Sequence, residues 1–313
     1  MKGNTNWQVQ QIYGAIKGIG ESRHDAKAEA RSGGAKTTAE VSKLTKIHSY
    51  ATADAYRSVW RSIGEFAKTE FGMKNMEKLE GRHVAAFLES KIHDGVSRAT
   101  FDQYGAATAK LEAALNRYAT QNDTGGKYKF DLKTVRALGV KELGARNHEP
   151  RAYSDPMKIL SRLDGEHQLA ARLQIESGGR VKEVSQIRET QLRGLQTERT
   201  TGELKGLVHV DGKGGKEREL QISPATYAEL KSAIAAGDGV FRMDDYKEYL
   251  QALQNAADET GQSYNGSHGL RWGFAQERMG ELQKNGLTFE GALLQVSEEM
   301  GHARSDITEH YLK

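Results

Sequence analysis

Four polar stretches in the second half of the chain hold side chains that could act on a phosphodiester. They are ESGGRVKEVSQI, DGKGGKER, SHGLRWGFA and GHARSDITEHYLK. Together they supply Arg180, Lys213, His268, Arg271, His302 and Tyr311. A planar guanidinium can grip two non-bridging phosphate oxygens at once. Two of them would neutralise the charge that builds on five-coordinate phosphorus. An ammonium can protonate a departing 5′ oxygen, and an imidazole can take or relay a proton. A phenol can attack covalently, and nearby cations favour its ionised form. Taken singly, each stretch has an ordinary explanation: an Arg closing a helix end, lysines at a solvated hairpin tip, a His and an Arg paired with local carboxylates, a Tyr ring packed on a core. Four histidines (His209, His268, His302 and His310) raise the question of a metal. No HExxH motif or close ligand cluster accompanies them, so no metal is expected and a metal-dependent nuclease fits poorly.

In order along the chain, Arg…Lys…His-x-x-Arg…Gly-His-x8-Tyr resembles the catalytic signature of the tyrosine recombinase (phage integrase) family. The resemblance spans roughly residues 44–313. It implies that Arg180 is the first phosphate clamp, with Glu183 as an acidic support. Lys213 would be the general acid, with Lys216 the second choice and otherwise a DNA contact. His268 would handle a proton, Arg271 would be the second clamp, His302 a phosphate hydrogen-bond donor and Tyr311 the nucleophile. Two departures stand out: Gly179 replaces the usual Leu before the first Arg, and Trp272-Gly273 follows the His-x-x-Arg box. Family members commonly continue past the Tyr with a helix that docks on a neighbouring subunit. Here only Leu312 and Lys313 follow, so a truncated chain or assembly through other surfaces is expected.

The implied protein is a two-domain, C-shaped clamp on double-stranded DNA, mainly α with a small antiparallel sheet in the catalytic domain. The implied activity is site-specific recombination. Tyr311 forms a 3′-phosphotyrosyl link and frees a 5′-hydroxyl, and two such rounds pass through a Holliday junction without metal, cofactor or ATP. The implied partners are two DNA sites bound by a homotetramer, with an accessory DNA-bending protein as a further partner and no membrane. The absence of cysteine makes the cytoplasm the default compartment, and the expected setting is bacterial and nucleoid-associated. A type IB topoisomerase, which nicks and reseals one strand, and a catalytically silent DNA-binding regulator are the competing readings.

The elements that must position these residues can be read from pattern. In YRSVWRSIGEFAKTEF, Tyr56, Val59, Trp60, Ile63, Phe66 and Ala67 recur at helical spacing. HVAAFLESKI and FDQYGAATAKLEAALNRYA repeat the pattern, with Thr100 placed to cap the latter. A helical core-binding domain over 44–149 is therefore expected, its polar faces offering Arg57, Arg61 and Arg98 to DNA. Residues 1–43 are polar and basic, with a short helix near 6–30, and are left unassigned as an arm or leader. Pro150 and Pro156 bracket a linker, and a catalytic domain over 150–313 follows. In it, LVHV, a turn and RELQI read as a hairpin. MKILSRL, HQLAARLQIES and four segments after Pro224 read as helices. Asp306 and Glu309 resemble a capping box at the start of a last helix that would present Tyr311.

The chain has 313 residues, net charge +3 and no cysteine, which excludes disulfides and Cys-based zinc sites. No apolar run is long enough to span a membrane, and the N-terminus lacks a signal-peptide core.

Overall fold

The computed structural model describes residues 1–145, 149–212, 216–302 and 304–313, and of Lys216 the backbone alone. The chain divides into two compact units, Met1–His148 and Glu149–Lys313.

Among its described residues the first unit is built of helices: α1 (Thr5–Gly14), α2 (Arg23–Ser32), α3 (Thr38–Leu44), α4 (Tyr50–Phe71), α5 (Gly81–His93), α6 (Arg98–Gln121) and α7 (Lys133–Glu142). The long helices form because their apolar residues share one face. Val59, Trp60, Ile63 and Ala67 of α4, Val84, Phe87 and Leu88 of α5, and Phe101, Leu111 and Leu115 of α6 meet in one core. The Trp60 indole is fully buried and donates to the Ala107 carbonyl at 2.8 Å. Gly72, at φ 65, ends α4 in the left-handed region. Helix α6 starts three residues earlier than Thr100 suggests. Ser97 is its cap, accepting from the Thr100 amide at 3.2 Å. Residues 1–43 form α1–α3. Val9, Ile12 and Tyr13 of α1 join the core, and the glycine-containing turn after Gly14 splits the single helix expected near 6–30.

Gly139 of α7 lies against the Phe101 ring, where an added Cβ would overlap three ring carbons. Gly139→Val should therefore lower stability by about 1–3 kcal/mol through overpacking. Urea unfolding measures this, and an unchanged midpoint would contradict the contact.

The second unit runs α8 (Pro156–Leu160), α9 (Gly165–Ser177), α10 (Val181–Val184), β1 (Gln186–Arg188), β2 (Leu192–Thr197), β3 (Leu204–Gly212), β4 (Lys216–Ile222), α11 (Pro224–Ala236), β5 (Val240–Arg242), α12 (Tyr246–Glu259), α13 (Gly266–Lys284), α14 (Phe289–Glu299) and α15 (Ser305–Glu309), and closes on a 3₁₀ turn, His310–Leu312. Strands β2, β3 and β4 form an antiparallel sheet in that order, and β1 pairs antiparallel with β5. The fold is thus mainly α with small antiparallel sheets. One apolar cluster lies around α9, the strands, α11 and α12. A second forms around α13 and α14 and includes Trp272, Met300 and Tyr311. No helix is long and apolar enough to cross a membrane among the described residues.

Candidate active site

Arg180 caps α10, directly after the end of α9. Helix α9 stops because Gly178 turns left-handed at φ 59. At Gly179, just before Arg180, the packing leaves little room for a side chain. A Cβ there would come 2.6 Å from Val184 Cγ1 and 3.3 Å from Ser177 Oγ. Glu183, one turn on, accepts from the Arg180 amide and from its guanidinium, both at 2.7 Å. The same carboxylate accepts from Arg218 Nη2 at 2.5 Å. Burial alone would raise the Glu183 pKa, but Arg218 and the Arg180 donors hold it below the usual carboxylate range.

His268 and Arg271 lie one turn apart on α13. Arg271 is 1% exposed and donates to the carbonyls of Gly178 and Met300. It also reaches His302 Nε2 at 3.0 Å. Burial, then Arg180 and Arg218 facing it, pull its pKa to about 10, so it remains a cation at neutral pH.

His302 follows the end of α14, and three arginines meet that end. Arg218 donates to the Glu299 carbonyl, Arg271 to the Met300 carbonyl, and Arg278 to the Glu299 carboxylate at 2.7 and 2.9 Å. The last carbonyls of a helix have no partner within it and carry its negative pole, so buried cations are well placed there. The donor assignments also fix the His302 tautomer. A guanidinium can only donate, so His302 Nε2 accepts and the proton sits on Nδ1. That proton goes to Thr308 Oγ1, 2.8 Å away, which also pairs with Ser297 Oγ at 2.7 Å. In this arrangement neutral His302 has no N–H left for a phosphate.

Tyr311 lies in the closing 3₁₀ turn. Its ring is only 8% exposed and packs near Trp272 and His302, with centroids 5.0 and 5.3 Å away. Its hydroxyl is hydrogen-bonded with His268 Nε2 at 3.0 Å. Gln276 of α13 holds the turn, donating to the Tyr311 and Lys313 carbonyls at 3.1 and 3.0 Å. Asp306 does not cap α15: Arg304 occupies the cap position, and the Asp306 carboxylate pairs with the Arg304 side chain at 3.1 Å.

Arg180, Glu183, His268, Arg271, His302 and Tyr311 therefore come together. Lys213 lies outside the described residues, as does the side chain of Lys216, which opens β4. In the first unit Arg57 is ion-paired with Asp54, and its guanidinium lies 5.0 Å from the Tyr13 ring centroid. Arg61 is exposed on the same helix. Arg98 pairs with Asp102 at 3.1 Å. Contrary to the absence of a ligand cluster read from sequence, His209, Asp211 and Glu217 bring ligand atoms within 4.8 Å of one another. They lie on the β3–β4 hairpin, and both carboxylates are exposed.

Arg218 and Thr308 escaped the sequence reading. Arg218 did leave a signal: it shares alternate spacing with the buried Leu220 and Ile222, so the strand turns it inward.

Burial first, then the arginines, pushes His302 down to about 3 and His268 to about 4, so both are neutral at pH 7. Unfolded, each would titrate near 6.5. Below that pH the unfolded chain takes up protons that the folded chain refuses, so stability falls as pH drops and is flat above the window. His302 should contribute about 1 kcal/mol per pH unit, and His268, whose residue is exposed, less. Urea titrations from pH 7.5 to 5.0 should show this slope, reduced in His302→Gln.

No protein-family model matches the chain, and no curated protein sequence matches it. Solved structures do. The XerH site-specific recombinase in a post-cleavage complex with palindromic difH substrate superposes with TM-score 0.63 at 17% identity, covering 98% of this chain and 91% of that one. Its pre-cleavage complex gives 0.64 at 16% identity, covering 98% and 92%. A Tn1549 transposon integrase variant with transposon right end DNA gives 0.54 at 12% identity, covering 92% and 94%.

Proposed function

With the fold of the tyrosine recombinases as premise, we propose that this chain cleaves and rejoins DNA at a specific site through Tyr311. The observation that carries the reading is the pairing of the Tyr311 hydroxyl with His268 Nε2, one helical turn from the buried Arg271 cation.

In the proposed reaction the phenol proton passes to His268 Nε2 as Tyr311 Oη attacks phosphorus. The P–O5′ bond breaks, and the 5′ oxygen leaves with a proton from Lys213. A 3′-phosphotyrosyl ester and a 5′-hydroxyl result. Arg180 and Arg271 bind the non-bridging oxygens, with Glu183 orienting Arg180. His302, through its ring nitrogens, orients Arg271. The ester retains the energy of the broken bond, so a partner strand's 5′-hydroxyl can attack it and expel Tyr311 without ATP. Two rounds, through a Holliday junction in a tetramer on two sites, exchange the duplexes. Arg57, Arg61, Arg98 and Lys216 would contact phosphates, which makes binding strongly salt-dependent.

The test is a trap for the covalent intermediate. Nicked duplexes carrying sequences that flank the gene lose a short 5′-hydroxyl fragment after cleavage, so religation fails. With EDTA present and ATP absent, wild type should give a slow-migrating adduct on denaturing gels. No adduct on a duplex the protein demonstrably binds would leave a DNA-binding protein without this chemistry. Relaxation of supercoils without need for a site or partner would favour the topoisomerase reading.

A further inference from the structure

Arg218 closes the stretch DGKGGKER, where the resemblance gives it no role, yet its side chain links the Arg180 stretch to the end of α14. Its side chain is 6% exposed. One end of the guanidinium meets Glu183 Oε2, the oxygen that also accepts from the Arg180 amide. The other end donates to the Glu299 carbonyl, three residues before His302. Between these contacts lies Gly301, at φ 65. A Cβ there would come 3.0 Å from Arg218 Cδ and 3.5 Å from Arg180 Nη1. The turn that carries His302 is thus laid directly against both guanidinium groups. The Arg218 Nε proton is buried without a hydrogen-bond partner among the described residues. A buried cation with an unmet donor is costly to keep where packing alone is needed.

We propose that Arg218 is a positioning residue that fixes the Arg180 phosphate clamp and the His302 turn in register. This deepens the reading of the site given above and rests on it. Arg218 need not touch DNA. It acts through Glu183 on one side and through the end of α14 on the other. A planar, forked cation can satisfy both at once, whereas a lysine offers one point charge. Loss of this brace leaves each clamp present but displaced, and a displacement of about 1 Å costs on the order of 100-fold in rate.

The experiment compares wild type, Arg218→Lys, Glu183→Gln and the double variant Arg218→Gln/Glu183→Gln in full-length protein. The readouts are the single-turnover rate of adduct formation, affinity for the same duplex, and thermal midpoint. Arg218→Lys should slow adduct formation about 10- to 100-fold, with affinity changed less than about twofold. The double variant should be slower than Glu183→Gln alone, but by less than Arg218→Lys is slower than wild type, because the Glu183 contact is shared and only the α14 contact is newly lost. It also removes both buried charges together, so it stays informative if Arg218→Lys does not fold. A normal rate in Arg218→Lys, a rate loss matched by lost affinity, or a double variant slowed by the full sum of the two single losses would each overturn the proposal. Wild-type adduct, measured alongside, tests the underlying reading. If it forms and one of those outcomes is seen, only the role of Arg218 falls. If it does not form, both fall.

Discussion

Tyr311→Phe should abolish the covalent adduct, to below about one part in 10⁴ of wild type, and leave the fold intact. The substitution deletes one oxygen. The ring keeps its packing against Trp272 and its place beside His302. The structural cost is the hydrogen bond to His268, about 0.5–1.5 kcal/mol. The chemical cost is the entire nucleophile, since His268 and the arginines have nothing to activate without it. Denaturing gels on a nicked duplex measure the first effect, and urea unfolding measures the second. An adduct that persists in the Phe variant would place the nucleophile elsewhere.

The second large effect falls on Arg271, and on two quantities at once. Arg271→Ala strands the Gly178 and Met300 carbonyls and His302 Nε2 in a buried space. Removing one member of a buried charged network costs about 3–5 kcal/mol. Arg271→Lys keeps the charge but cannot serve three acceptors from one nitrogen position. Stability should fall less than in the Ala variant, while adduct formation still falls about 100- to 1000-fold for want of bidentate charge stabilisation. Urea midpoints and single-turnover rates separate the two. A Lys variant that cleaves at the wild-type rate would show that Arg271 is structural alone.

What was legible in the sequence follows from the range of the forces involved. Helices α4, α5 and α6 were visible because each carries a complete apolar stripe, which is a local property. The β3–β4 hairpin was visible because its turn and both strands are adjacent. Strands β1 and β5 were not: three residues each, paired across some fifty others, they leave no local period. The chemistry-bearing residues could be picked out by type and order, because phosphodiester chemistry needs those groups. How they engage one another could not. The His302 tautomer depends on Arg271 and Thr308, which are remote or unremarkable in sequence. The α15 cap went astray because Asp306, which looks like a capping residue, instead pairs with the Arg304 side chain. Arg218 was hidden by its surroundings, one more cation in a lysine-rich hairpin, although strand alternation already pointed it inward.

The buried ring of Tyr311 also has a temporal meaning. On the proposed chemistry the ring must loosen from this apolar packing, still paired with His268, to bring Oη to phosphorus. Withdrawing such a ring from apolar packing costs about 1.5–3 kcal/mol, so only about one molecule in 10 to 100 would be armed at any instant. The resting protein then works as a safety catch: brief encounters with unsuitable DNA end before the trigger is cocked. A site held for many such intervals is cut, so discrimination would come from dwell time as well as from affinity.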